Sequence, residues 1–356
     1  MRRMAWGQAV VARVRPEVRV LLSSAGRRVQ LIECFRADAV RLGVGLEIIA
    51  VDSEPALSVA CRVADHAYGV PPCTDPTFVV RLLEICSRHR VDLLVPTIDP
   101  ELEILSQSAP AFVQVGTRVA VSASGVVALA RDKLHTAQHL AFHGLPVPWT
   151  IEASRLGAHP PQPFRRMILK PRHGSSSVGI RRIERVEDWP LVLSGGCPPE
   201  DCILQDLLAG DEYTVNLFFD AEGRLRSAVP HHRIAVRDGE VAKGITRRHS
   251  KLLALAEALG AVLQGARGPL CFQAIVSSSG AAAIFEINAR FGGGFPLAHH
   301  AGARFTQWLL EEALGLPSSA NDDWRDGVLM LRYDAAVFTE GLQTRNASGI
   351  GKTSHV

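Results

Sequence analysis

No stretch of the 356 residues approaches the roughly 18 consecutive apolar residues of a membrane-spanning helix, which argues against an integral membrane protein. Cysteine is sparse: the seven residues, at 34, 61, 73, 86, 197, 202 and 271, are odd in number and form no C-x-x-C pair. That pattern fits reduced thiols in a cytoplasm better than a disulfide framework or a cysteine-based zinc site. Aromatic residues make up only 6%, and no aromatic-and-basic stripe suggests a nucleic-acid groove. Nor does a formal charge of +3 argue for nucleic acid or an anionic membrane as partner. The dinucleotide fingerprint G-x-G-x-x-G is missing, since "GVG" at 43–45 precedes a strand-like run instead of following one. No internal repeat is present. "GIGKT" at 349–353 imitates a phosphate-binding loop, but Asn346 stands where its first glycine belongs and no helix-forming stretch follows.

What is present is an alternation of strands and helices. Strand-like runs at 18–24, 46–52 and 91–97 are separated by helix-compatible stretches reaching Leu42, at 76–90 and then at 99–109. This order predicts a Rossmann-like parallel sheet with right-handed crossovers, with Ser23, Asp52 and Thr97 at the carboxyl ends of its strands. A helix over 122–144 follows, and the prolines of "LPVPWT" mark a boundary. Strands at 165–171 and 180–183 flank a small-residue loop, 172–179. Residues 200–220 read as strand, linker and strand. Beyond a helix at 250–264 come strands at 269–277 and 281–290 and a helix near 304–314. Residues 1–17 read as an N-terminal extension and 341–356 as a mobile tail.

Four segments carry chemistry. In "IFEINARFGGG" (284–294), period-two alternation puts Glu286, Asn288 and Arg290 on one face, as a phosphate–metal site or a solvated sheet face ending in a turn would have them. In "ILKPRHGSSSVGI" (168–180), Lys170 ends a strand beside a loop whose Gly174, Ser175, Ser176, Ser177 and Gly179 let backbone amides approach an anion, or simply make a flexible hairpin. "QDLLAGDEYTV" (205–215) suits either an adenine-reading linker, with Gln205, Asp206 and Leu207 at the ring edge and Glu212 on ribose, or a plain connection. Gln273, in "FQAIV" (272–276), is able to face Glu286 across an antiparallel pair and offer a hard oxygen ligand.

In this order the segments resemble the ATP-grasp superfamily, in particular single-unit proteins similar to the large subunit of carbamoyl-phosphate synthase. The resemblance covers roughly residues 120 to 335. It implies a Rossmann-like pre-ATP-grasp domain (18–120), a small lobe with connecting helices (121–205) and a C-terminal lobe (206–340). It further implies that Lys133 and Lys170 meet ATP phosphates under a lid of Ser175 to Gly179. Gln205, Asp206, Leu207 and Glu212 would hold the nucleoside; Gln273, Glu286 and Asn288 would hold Mg2+, with Mn2+ an acceptable substitute. Arg290, with Asn288 and Lys170, would serve the transferring group. Two departures stand out: Gln205-Asp206 replaces a commoner acidic pair, and Gln273 replaces a commoner Asp.

The implied activity is phosphorylation of a small carboxylate by ATP and attack of an amine on the acyl-phosphate, giving an amide or peptide bond. Arg233, Lys243 and Arg247, in the basic stretch 231–250, and His299 in "FGGGFPLAHHAGA" are the candidate substrate contacts. Two other readings compete: a regulatory module that binds ATP or ADP without catalysis, and a stand-alone enzyme phosphorylating bicarbonate. The expected setting is cytoplasmic, with small-molecule substrates and a homodimer as the base-rate assembly.

Overall fold

The computed structural model describes residues 16–156, 159–174, 179–190, 192 and 198–340. Ser175, Ser176, Ser177 and the 341–356 tail lie outside these, as does the N-terminal extension before residue 16.

The first sheet is parallel, in the order β3-β2-β1-β4-β5. Its strands are β1 (Glu17–Ser23), β2 (Gly45–Asp52), β3 (His66–Gly69), β4 (Leu93–Pro96) and β5 (Arg118–Val119). Helices α1 (Val29–Leu42), α2 (Val59–Val63), α3 (Phe78–His89) and α4 (Asp99–Gln114) connect them. Alternate strand residues feed two cores, as buried parallel strands must. Val18, Val20, Leu22, Ile48 and Val95 pack on one side, and Leu21, Ile49, Val51 and Leu94 on the other. Helix α4 was expected to stop before Pro110, yet it continues to Gln114, because Phe112 is fully buried and anchors the last turn.

The single helix expected at 122–144 is two, α5 (Ser124–Arg131) and α6 (Lys133–Phe142). Asp132 breaks it by adopting an extended backbone, and its Oδ1 accepts from the amides of Leu134 (3.0 Å) and His135 (3.1 Å). This N-cap sets Lys133 at the first helical position.

A four-stranded sheet then runs β6-β9-β7-β8, from β6 (Thr150–Glu152), β7 (Met167–Pro171), β8 (Arg181–Ile183) and β9 (Cys202–Asp206). It has its own small core around Met167, Leu169, Ile183 and Trp189. The last sheet has six strands, β14-β13-β10-β11-β12-β15. They are β10 (Asp211–Phe219), β11 (Leu225–Arg237), β12 (Glu240–Thr246), β13 (Gly268–Val276), β14 (Ala282–Asn288) and β15 (Leu329–Leu331). Helix α7 (Ser250–Val262) lies between β12 and β13, and α8 (Phe295–Ala301) and α9 (Phe305–Ala313) follow β14.

The first and last sheets share one core. Phe35 of α1 meets Phe291 edge-on, and Phe295, Phe305 and Trp308 continue the cluster. Buried Asp38 of α1 clamps the same junction, accepting from Thr306 Oγ1 (2.5 Å) and Arg304 (2.8 Å) and lying 2.9 Å from His299 Nε2. The middle sheet keeps a separate core and is tied to the start of α6 by Arg172, which donates to Asp132 at 2.6 and 2.8 Å. Among the described residues no helix is long and apolar enough to cross a membrane.

Candidate active site

Antiparallel pairing of β13 and β14 sets Gln273 directly opposite Glu286. A bulge follows immediately, because Ala274 pairs with Ile284 and leaves Phe285 as the extra residue. A bulge re-aims side chains; here consecutive Phe285 and Glu286 both line the same cavity. With its amide oxygen toward Arg233 (2.8 Å from Nη1), Gln273 donates to Glu286 Oε2 (3.1 Å). Lys133 Nζ approaches the other oxygen, Oε1, at 3.6 Å and donates to the Gly174 carbonyl at 2.5 Å.

The cavity, about 490 Å³, lies between the middle and last sheets. One wall is Ile168, Lys170 and Gln205 with Leu207; the other is Glu212, Gln273, Phe285 and Glu286. Lys170 is 5% exposed, and its Nζ sits over the Phe285 ring, 5.4 Å from the centroid. Burial pushes its pKa down to about 8, against the pull of Glu286 and with the push of Lys133. Such a lysine is primed to gain an anionic partner. The linker between β9 and β10 is fixed where it leaves β9. Gln205 Nε2 donates to Thr150 Oγ1 (2.9 Å), and the Leu207 amide donates to the Arg166 carbonyl (2.9 Å). Gly210 is obligatory there: at φ +149° a Cβ would stand 2.2 Å from the Val276 carbonyl oxygen. Asp206 pairs with Arg165 (2.5 Å), whose guanidinium lies over Trp149, so its carboxylate is engaged in the lobe's own structure. Glu212 meets Arg233 Nε at 3.3 Å.

A smaller cavity, about 80 Å³, shares Arg233, Gln273 and Glu286 with the first and adds Asn288 and Arg290. Arg290 is rigidly held. Its Nη2 donates to Asp99 Oδ2 (2.6 Å) and Asn288 Oδ1 (3.4 Å), and Nη1 donates to the Phe291 carbonyl (3.0 Å). Burial is the largest influence and opposes its charge, but Asp99, Cys271 and Glu286 together raise its pKa.

A third cavity, about 480 Å³, opens beyond, sharing Arg28, Glu240, Gly292 and Gly293 with the small one. Arg27, Arg28 and Arg332 surround Glu240 at 3.9, 3.4 and 2.7 Å, with Tyr333 at the rim. The sequence reading missed Arg28 and Arg332; the only signal was the paired arginines after the first strand.

Several expected substrate contacts lie elsewhere. Lys243 and Arg247 are exposed and line none of the three cavities. His299 is buried against Asp38, where it ties α8 to α1 instead of facing substrate. Arg233 does reach the site, behind Glu212 and Gln273. The three glycines at 292–294 admit the protein's own side chains: a Cβ on Gly294 would stand 2.5 Å from His231 Nε2, and one on Gly293 2.8 Å from the Glu240 carboxyl carbon.

A nucleotide-sized cavity between two antiparallel sheets, behind a parallel-sheet domain, defines an ATP-grasp architecture. Family models agree: the PylC-like N-terminal domain matches residues 20–120 and the ATP-grasp domain matches residues 130–294. The chain belongs to the ATP-grasp superfamily. Among solved structures it resembles the biotin carboxylase domain of 2-oxoglutarate carboxylase from Hydrogenobacter thermophilus, at 15% identity and TM-score 0.66 over 87% of this chain and 73% of that one. N5-carboxyaminoimidazole synthetase from Staphylococcus aureus gives 15% and 0.64 over 86% and 80%. An L-amino acid ligase from Bacillus licheniformis gives 17% and 0.62 over 87% and 77%. At these identities the likeness is one of fold. No curated protein matches the sequence.

Proposed function

We propose that the protein is an ATP-dependent ligase that activates a small carboxylate as an acyl-phosphate and joins it to an amine. The observation that carries this reading is the row of three adjoining cavities that share lining residues, with Arg290 and Asn288 lining the small one between two larger ones. One cavity has the cations and apolar walls for a nucleotide. The other is lined by Arg27, Arg28, Arg237 and Arg332 along with Asp238, Glu240 and Asp334 and, at about 480 Å³, falls within the ~300–1,000 Å³ of small-molecule sites. Bicarbonate alone would leave such a space largely empty, which favours an organic acid.

In this reading Lys133 and Lys170 bind the phosphates, Gln205 and Leu207 flank the base, and Glu212 takes the ribose. The donor set at the junction is all oxygen, which suits Mg2+. Glu286 and Asn288 would hold the ion, which offsets the repulsion between triphosphate and carboxylate. Gln273, which accepts from Arg233 and donates to Glu286, orients the Glu286 carboxylate and keeps a second lone pair on its oxygen for the ion. Arg28 and Arg332, in place of Lys243, Arg247 and His299, receive the acid. A carboxylate oxygen attacks the γ-phosphorus as ADP leaves, with Arg290 fixed beside the transferring group. The amine nitrogen then attacks the acyl carbon; phosphate departs and the amine's proton passes to solvent.

The test is ADP release from Mg-ATP across a matrix of carboxylic acids and amines, with Glu286→Gln as control. Release that needs one acid and one amine and vanishes in the control supports the ligase. Release that bicarbonate alone sustains, or ATP binding without release for every pair, would overturn it.

A further inference from the structure

Away from these cavities, three metal-ligand side chains converge at the edge of the parallel sheet. They are Glu47 on β2, His66 at the start of β3 and His89 in the last turn of α3. One ligand atom from each lies within 4.8 Å of the other two. His66 Nε2 stands 3.0 Å and His89 Nδ1 3.5 Å from the same oxygen, Glu47 Oε1. A tetrahedral ion with bonds near 2.0–2.1 Å spaces its ligands about 3.3 Å apart. The two separations bracket that value.

The surroundings support the same assignment. Glu47 Oε2 is occupied by Arg19 Nε at 3.4 Å, so the carboxylate is oriented with Oε1 toward the imidazoles. His89 Nε2 lies 2.7 Å from the Tyr68 hydroxyl. If Nε2–H donates there, Nδ1 keeps a free lone pair directed at Glu47. Metal-ligating histidines are fixed in this manner by a partner on the far nitrogen. Access is provided by His66, whose side chain is 45% exposed, while that of His89 is only 12% exposed. Two imidazoles and one carboxylate differ in kind from the all-oxygen set at Glu286 and Asn288, and they suit a borderline ion such as Zn2+ over Mg2+.

We propose that Glu47, His66 and His89 bind Zn2+, with water as the fourth ligand. The ion would tie the edge strand β3 and the end of α3 to β2, with one open position held by water, and the site is independent of the ligase reading.

The experiment uses the tag-free full chain, stripped with a chelator and titrated with Co2+ and with Zn2+ by calorimetry and visible spectroscopy. One equivalent should bind, with the absorption of four-coordinate cobalt, and Zn2+ should displace it. His66→Gln, at an exposed edge, and His89→Gln should each weaken binding by about tenfold or more, and Tyr68→Phe by about tenfold. Zn2+ should raise the melting temperature of the parent but not of His66→Gln. A second histidine row, His135 and His139 on α6 with His143 just after it, supplies the control: ring centroids of the last two are 4.6 Å apart. Loss of binding in a His139→Ala, His143→Ala double variant would overturn the assignment. So would parental affinity in His66→Gln and His89→Gln, or no stoichiometric binding in the parent.

Discussion

Lys170 offers the sharpest test of the nucleotide cavity, because function and stability should pull apart there. Burial lowers its pKa from 10.5 to about 8. At about 1.4 kcal/mol per pK unit, holding the charged form in the folded state costs on the order of 3 kcal/mol. For a group with a depressed pKa, stability is fully present above the unfolded value and is lost as pH falls through the folded one. Stability attributable to Lys170 therefore rises between pH 8 and about 10.5 and is at its lowest near neutrality. Methionine has a similar length and would rest on Phe285 without the charge. Lys170→Met should therefore be more stable than the parent at pH 7, by up to about 3 kcal/mol. That advantage should shrink by roughly 2–3 kcal/mol on going to pH 10. Denaturant unfolding of both proteins at the two pH values isolates the effect of Lys170 and its coupled neighbours Lys133 and Glu286, since titrating groups remote from it cancel in the difference. ATP affinity of the variant should meanwhile collapse. A variant destabilised at pH 7, or a difference that does not change with pH, would refute the account of Lys170 as a buried cation awaiting phosphate.

Other outcomes are expected. Glu286→Gln should still fold, with some loss of stability because Lys133 and Lys170 lose their anionic neighbour, and should lose at least about 100-fold in turnover, measured as ADP release. Arg290→Ala should lower stability by about 3 kcal/mol in denaturant unfolding, because Asp99 is left without its partner; Asp99→Asn in the same chain should recover part of that loss but none of the activity. Arg332→Gln should raise the KM for the acid and leave that for ATP unchanged in steady-state kinetics. His299→Ala should cost about 1–3 kcal/mol by removing a partner of buried Asp38, with substrate preference unaltered across the acid and amine matrix.

Much of this site was legible because strands announce themselves by alternation. The pairing of Gln273 with Glu286 followed from two adjacent period-two segments, and the structure has that register. Lys170 at a strand end and the glycine-bounded linker were equally local signals. The bulge at Phe285 was not legible, since one extra residue on one strand leaves no mark in composition. Long-range partners were hidden for a similar reason. Asp99 lies 191 residues from Arg290, and Asp38 lies 261 residues from His299. His299 consequently read as a pocket residue when its partner makes it a core residue. The break at Asp132 carries an N-cap residue, but the apolar pattern runs on through it and masks the signal. Arg28 and Arg332 come together only through the packing of α1 against the last sheet, which no local pattern encodes.

The central claim is that an acid is activated by phosphoryl transfer at the junction between the two large cavities. Once the matrix has given a productive pair, the acid labelled with oxygen-18 in its carboxylate tests this directly by mass spectrometry of the released phosphate. One labelled oxygen per phosphate, with unlabelled ADP, is the expected result. Phosphate free of label would mean that water and not the carboxylate attacks ATP, and would contradict the account.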